Sequence, residues 1–207
     1  MNNGLKILAT GDFHGDSRVA AALAEKAEKN DVDLVIICGD LAHAEGPTEN
    51  LIGPFVKKGK KVLIVPGNHD DFSNISFLAE RYSIKNIHGY SVKYKDVGIF
   101  GCGGSPNVGP TLPLTEEEMF YLLKRGHQKI SYLKKKIMVT HMHPEGSLSE
   151  KLPHPVIKPS KAVRKAIDEL NPDILFCCHV HEAEGIEEII GKTRVINVGP
   201  KGKIVEI

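Results

Sequence analysis

Three short apolar runs rich in β-branched residues, 5–9, 34–38 and 62–65, recur at similar intervals, with helix-like segments between them. Over 16–29, Val19, Ala20, Leu23, Ala24 and Ala27 fall on one helical face, with Asp16 or Ser17 as the N-cap. A second helix is expected over 47–58, with Pro47 in its first turn, and a third over 73–82. Strand–helix alternation of this kind requires parallel strands joined by helical crossovers. Strands that read as unbroken apolar runs suit a sheet covered on both faces. The loops following the strands then gather at one edge, where such sheets bind ligands.

The pattern changes after residue 90. Residues 91–94 and 97–101 read as a hairpin turning near Lys95-Asp96. Residues 105–114, with Pro106, Pro110 and Pro113, read as a loop expected to rim the strand ends. Thr115 and Glu118 form a capping box for a helix running to about residue 124. A strand at 137–140 leads into a second Pro- and Gly-bearing loop at 145–158. Ser160 caps a helix ending at Leu170, broken by Asn171-Pro172-Asp173. Strands follow at 174–178, 187–190, 194–198 and 204–207. There is no internal repeat and no linker-like segment, so residues 1–207 read as one domain.

Composition excludes several classes. With 27 Lys and Arg against 26 Asp and Glu, and 6% aromatic residues, a nucleic acid is not the favoured partner. No apolar run reaches the roughly 18 residues of a membrane span, and the first residues lack the pattern of a signal peptide. Cys38, Cys102, Cys177 and Cys178 all fall in or at the end of apolar strands, as buried thiols of a cytoplasmic protein do.

Five strand ends carry polar residues in a set order. They are Asp12-Phe13-His14, Gly39-Asp40, Gly67-Asn68-His69-Asp70, His141-Met142-His143 and His179-Val180-His181. Aspartate oxygens and imidazole nitrogens are donors that divalent transition metals accept. Each piece alone reads as an ordinary polar turn. Together, each just past a strand, they would meet in one cleft.

This ordered set resembles the signature of the calcineurin-like metallophosphoesterases, and it spans residues 12 to 181. The resemblance implies an α/β fold, a four-layer αββα sandwich of two mixed β-sheets flanked by helices. It implies two divalent metal ions, one held by Asp12, His14, Asp40 and His181. The other is held by Asp40, Asn68, His141 and His179, with Asp40 bridging. Mixed nitrogen and oxygen ligation accepts Mn, Fe, Zn, Ni or Co. The implied reaction is hydrolysis of a phosphate mono- or diester by a hydroxide between the metals. His69 then contacts the phosphate and protonates the leaving oxygen, and Asp70 orients His69. Asn68 and His143 join His69 on the substrate side. Native substrate, mono- or diester preference and oligomeric state stay open.

The chain departs from the family pattern at Cys178, where glycine is usual; a Cβ there is expected to restrict the ligand loop. Gly101-Cys102-Gly103-Gly104 reads as a tight strand end, since no helix follows it. His43, three residues past Asp40, either lines the cleft or, as the plainer reading, is an exposed loop residue; His88, His127 and His154 read as surface residues. A rival reading is a non-catalytic metal-binding scaffold or assembly subunit on the same fold. Such proteins are expected to lack ligands or the counterpart of His69, and none is missing here.

Overall fold

The computed structural model describes residues 4–44, 46–106, 113–152 and 158–207. Two mixed sheets dominate it. The first has the order β13(Lys203–Glu206), β1(Lys6–Thr10), β2(Leu34–Ile37), β3(Lys61–Ile64), β4(Lys85–Asn86). Its strands β1 to β4 run parallel, and β13 returns antiparallel along β1. The second has the order β11(Glu187–Ile190), β12(Thr193–Asn197), β10(Ile174–Cys177), β9(Lys135–Thr140), β6(Val97–Cys102), β5(Ser91–Tyr94). Here the four inner strands are parallel, and β5 and β11 form antiparallel edges. A small parallel ladder joins β7(Ser105–Pro106) to β8(Pro113–Leu114). This pairing lies inside the expected 105–114 loop, whose residues 107–112 fall outside the described residues.

Alternation along each strand accounts for the layering. Ile7, Leu34, Ile36 and Leu63 of the first sheet share one core with Ile99, Ile137, Phe176 and Ile196 of the second. The intervening residues face outward. Leu8, Val35, Ile37 and Ile64 pack on α1(Ser17–Lys29), α2(Gly53–Lys57) and α3(Phe72–Arg81). Phe100, Met138, Leu175 and Val195 pack on α4(Glu116–Gln128) and α5(Lys161–Leu170). The result is the expected helix–sheet–sheet–helix sandwich.

Most helix ends form as expected. Asp16 caps α1, Thr115 and Glu118 form the capping box of α4, and Ser160 caps α5, which ends at left-handed Asn171. The helix expected over 47–58 is a correction: only Gly53–Lys57 is helical. The first-turn proline is Pro54, not Pro47. Pro54 fits in the first turn, where its missing N–H has no intrahelical partner to lose. Helix α4 runs past residue 124 to Gln128, and Gly126 within it packs against the Tyr90 carbonyl and Phe100, where a side chain would collide. The carboxylate of Glu116 reaches from α4 to the start of α5. It accepts the Ala162 N–H (2.7 Å), the Lys161 N–H (3.1 Å) and the Ser160 hydroxyl (2.7 Å).

Candidate metal centre

The loops after β1, β2 and β3 of the first sheet meet those after β9 and β10 of the second. Sharp turns aim their side chains inward. Asp12, His14, Asp40 and His179 have left-handed backbones, with φ of 55°, 47°, 49° and 76°. Each such residue costs on the order of 1–3 kcal/mol, and strain of this kind collects at functional sites. Hydrogen bonds between loops hold the turns. The Asp12 N–H donates to the Gly39 carbonyl and the His14 N–H to the Asp40 carbonyl, each at 3.0 Å. The Asp40 carboxylate accepts the His69 N–H at 2.9 Å, and that of Asp12 accepts the His179 N–H at 3.2 Å. A Cβ on Gly67 would collide with the Asp40 carboxylate and backbone N–H, so only glycine allows this approach.

The expected ligands fall into two groups. In the first, His14 Nε2 and His181 Nε2 are 3.2 Å apart, and His181 Nε2 is 3.9 Å from Asp12 Oδ2. In the second, His141 Nε2 is 3.4 Å from Asp40 Oδ2 and 3.0 Å from His179 Nδ1. Within Asp12–His14–His181, and within Asp40–His141–His179, all ligand-type atoms lie within 4.8 Å of one another. Asn68 joins the second group through its Oδ1, 2.8 Å from His141 Nε2. Asp40 Oδ2 is also 3.8 Å from His14 Nε2, so one carboxylate stands between the groups.

These residues fit divalent cations. Facing imidazole nitrogens require a proton or a cation between their lone pairs. Asp12 Oδ1 and His179 Nε2 are buried with no hydrogen-bond partner among the described residues, an expensive arrangement unless something else satisfies them. Nitrogen and carboxylate donors are the set such ions take.

The surroundings tune the same atoms. Burial raises Asp12 to about 6, against the pull of His141 and His181. Burial also works against ionised Asp40, yet the neighbouring His141 ring and the His69 N–H hold its carboxyl well below the usual range. For His141, burial opposes the charge but the Asp40 and Asp12 carboxylates prevail and lift it to about 9. Burial lowers His14 to about 4, and burial together with charged His141 lowers His179 to about 2.

The remaining expectations are met unevenly. His69 lies on the open side, its ring edge-on to His14 at 5.3 Å. Asp70 does not spend its carboxylate on orienting His69. Its oxygens accept the Gly67 N–H (2.7 Å) and the Ala42 N–H (2.9 Å), bracing two ligand loops against each other. Burial raises its carboxyl to about 6, opposed by those bonds. His43 is exposed, as expected, but it belongs to the site: its ring stacks on His14 at 5.0 Å and meets His69 at 5.6 Å. Its place three residues past Asp40 was the available signal. His143, expected on the substrate side, is only 1% exposed and acts electrostatically on His179. His88 and His127 are half-buried, not surface residues. His88 Nδ1 accepts the Gly103 N–H at 3.1 Å, and burial, then Arg125, lowers its ring to about 4. His127 packs on Phe100, with ring centroids 5.4 Å apart. His154 falls outside the described residues. The Gly101-Cys102-Gly103-Gly104 segment closes β6 tightly, its Gly104 N–H bonded to the Pro66 carbonyl at 2.9 Å. Cys178 does not need glycine's freedom, because the left-handed turn falls on His179.

Comparison with known proteins identifies the family and the fold. The profile of the calcineurin-like phosphoesterases matches residues 5–183. The chain belongs to this family. Among its relatives, an uncharacterized protein of Methanocaldococcus jannaschii is 31% identical over 210 residues, covering 97% of this chain and 91% of that protein. A Thermus thermophilus structure aligns with a TM-score of 0.76 at 17% identity, covering 98% of this chain and 99% of the other. A structure described as a novel archaeal phosphodiesterase aligns with a TM-score of 0.57 at 16% identity, covering 98% and 99%. At such identities the structural likeness speaks for the fold alone. Calcineurin-like phosphoesterases use divalent metals, and this member has candidate ligand groups to receive them. No helix among its described residues is long and apolar enough to cross a membrane.

Proposed function

We propose that the chain hydrolyses phosphate mono- or diesters at a centre of two divalent metal ions. The observation that carries this reading is the position of Asp40, whose Oδ2 lies 3.4 Å from His141 in one ligand group and 3.8 Å from His14 in the other. Asp12, His14, Asp40 and His181 would hold one ion; Asp40, Asn68, His141 and His179 would hold the second. Bound there, two such ions supply a clamp for phosphoryl oxygens and a nucleophile drawn from water near neutral pH.

The chain's own residues do the rest. Asp40 stays ionised at every working pH, because its carboxyl is held well below the usual range. His14 and His179 stay neutral, since burial lowers both, and so keep lone pairs for ligation. The deep members, Asp12, Asp40, Asn68, His141 and His179, are buried, and a low-dielectric wall strengthens their action on charge. His69 and His43 stand on the open side with His14 and His181. There the His69 ring can hydrogen-bond the phosphate and give a proton to the departing oxygen. His43 walls the same side and would touch the leaving group. Asp70 serves this chemistry by holding the Gly67 and Ala42 backbones. The whole chain is read as one such domain. Its four cysteines, buried free thiols, favour a reducing cytoplasm.

The test is an activity screen after reconstitution with Mn²⁺, Fe²⁺, Zn²⁺, Ni²⁺ or Co²⁺, comparing an aryl phosphate monoester with a bis-aryl diester. Metal-dependent turnover of at least one is expected. Metal-loaded protein that turns over neither overturns the reading in favour of a non-catalytic scaffold.

A further inference from the structure

The thiol of Cys178 lies at the end of β10, fully buried in the core between the two sheets. Its Sγ is 2.8 Å from the Cys38 carbonyl oxygen and 3.2 Å from His141 Nδ1. His141 Nδ1 is itself 3.0 Å from the same carbonyl. A carbonyl oxygen only accepts, and it can accept twice. The Cys178 S–H and the His141 Nδ1–H therefore both donate to Cys38, and the proton of neutral His141 is fixed on Nδ1. The other ring nitrogen, Nε2, faces Asp40, Asn68 and His179.

That geometry decides between two roles for the cysteine. Asp12, His141 and Cys178 do form a third cluster of metal-ligand type. Yet the sulfur is committed to a carbonyl and lies on the Nδ1 side of His141, away from the nitrogen that points at the ligand groups. It also touches the loop of Asp12: a Cβ on Gly11 would be 2.9 Å from Cys178 Sγ, so the glycine before Asp12 makes room for the thiol. One side chain thus wedges two ligand-bearing loops from opposite sheets.

We propose that Cys178 is a positioning residue of the metal centre: its thiol sets the His141 ring and the Asp12 loop without ligating metal. The inference rests on the proposed metal centre but needs no turnover. The direct partner of the His141 ring is the Cys38 carbonyl, which the thiol also bonds; partners that orient a ligating histidine are worth roughly 10–100-fold in metal affinity, and a thiol acting through one is expected near the lower end.

The experiment is metal binding by Cys178→Ala and Cys178→Ser, followed by competition with a chelating dye. Cys178→Ala is expected to weaken metal binding about tenfold or more. The serine hydroxyl can still donate to Cys38, so Cys178→Ser is expected to recover part of that loss. Loading the unaltered protein with Co²⁺ should give ligand-field bands without a sulfur-to-cobalt charge-transfer band. NMR of ring nitrogens in the metal-loaded protein should report His141 protonated on Nδ1. A charge-transfer band would overturn the proposal by making Cys178 a ligand. Unchanged affinity in Cys178→Ala would overturn it by making the thiol passive. Circular dichroism of both variants separates a binding defect from misfolding; if the alanine variant does not fold, the serine variant carries the test, with a partial loss of affinity and a retained Nδ1 tautomer expected, and loss of that tautomer or an affinity equal to that of the unaltered protein refuting the role of the thiol. Protein that binds metal as described yet hydrolyses nothing would refute the proposed function and leave this inference standing.

Discussion

Adding a divalent cation to the metal-free protein should expel a proton, and the structure says from where. His141 is raised to about 9, chiefly by Asp40, so in metal-free protein its ring is charged at pH 7.5. A ligating imidazole must be neutral. Asp12, at about 6, is mostly ionised at that pH, and Asp40, His14 and His179 are already in their ligating forms. Filling the group around His141 therefore releases about one proton at pH 7.5 from these residues. Its affinity should rise about tenfold per pH unit between 6 and 9 and level off above. Below pH 6 the other group gains a proton requirement of its own, because Asp12 must ionise before it can ligate. Calorimetric titration with Mn²⁺ in buffers of different ionisation enthalpy counts the protons. A bound water that ionises adds to the count, so the His141 share is the difference from His141→Asn at the same pH. Equal counts in the two proteins, or an affinity for the first ion flat from pH 6.5 to 8.5, would refute the reasoning.

His69→Ala should bind metal normally and slow hydrolysis by about 10²–10⁴-fold, most for poor leaving groups; unchanged kcat would remove His69 from proton transfer. His43→Ala should raise KM several-fold, with a smaller change in kcat, measured by steady-state kinetics; an unaltered KM would place the ring outside substrate reach. Glu116→Ala deprives α5 of a cap from a neighbouring helix and should cost about 1–2 kcal/mol. Calorimetry should then show a Tm lower by roughly 3–6 °C; no shift would mean that water replaces the carboxylate without loss.

Nearly every strand was legible because the strands are short, β-branched and buried, and several end in polar residues that no core accepts. Their partition into two sheets was not. Which face each run covers depends on pairings such as β13 with β1, between residues almost a full chain apart. Helix α2 is shorter than Pro47 suggests because Asn50 turns left-handed (φ 60°), which interrupts a helix begun at Pro47, and Pro54 takes the first-turn position instead. The two-residue strands β4, β7 and β8 carry no periodicity to read. At the site, motif order names seven candidate ligands, and the fold brings their donor atoms close together. Motif order could not show that His43 folds back onto His14, or that Asp70 is taken up by backbone N–H groups. The left-handed turns at Asp12, His14 and Asp40 that aim these loops fall on residue types that tolerate positive φ, but Asp and His are too common elsewhere for type alone to announce them.

Each candidate ligand group draws on both sheets: Asp12 and His14 from the first with His181 from the second, Asp40 from the first with His141 and His179 from the second. Among the described residues no α-helix supplies a member; His181 opens a single 3-10 turn after β10. An ion held by either group would thus be a rivet through the seam of the sandwich, and the apolar layer beneath it would feel the load. Occupancy and docking of the two halves become one equilibrium, so that a cation stabilises the docked state by mass action. A loosened seam, from a cavity at Phe176 or Ile99 far from any substrate, would then appear first as a protein that lets go of its metal.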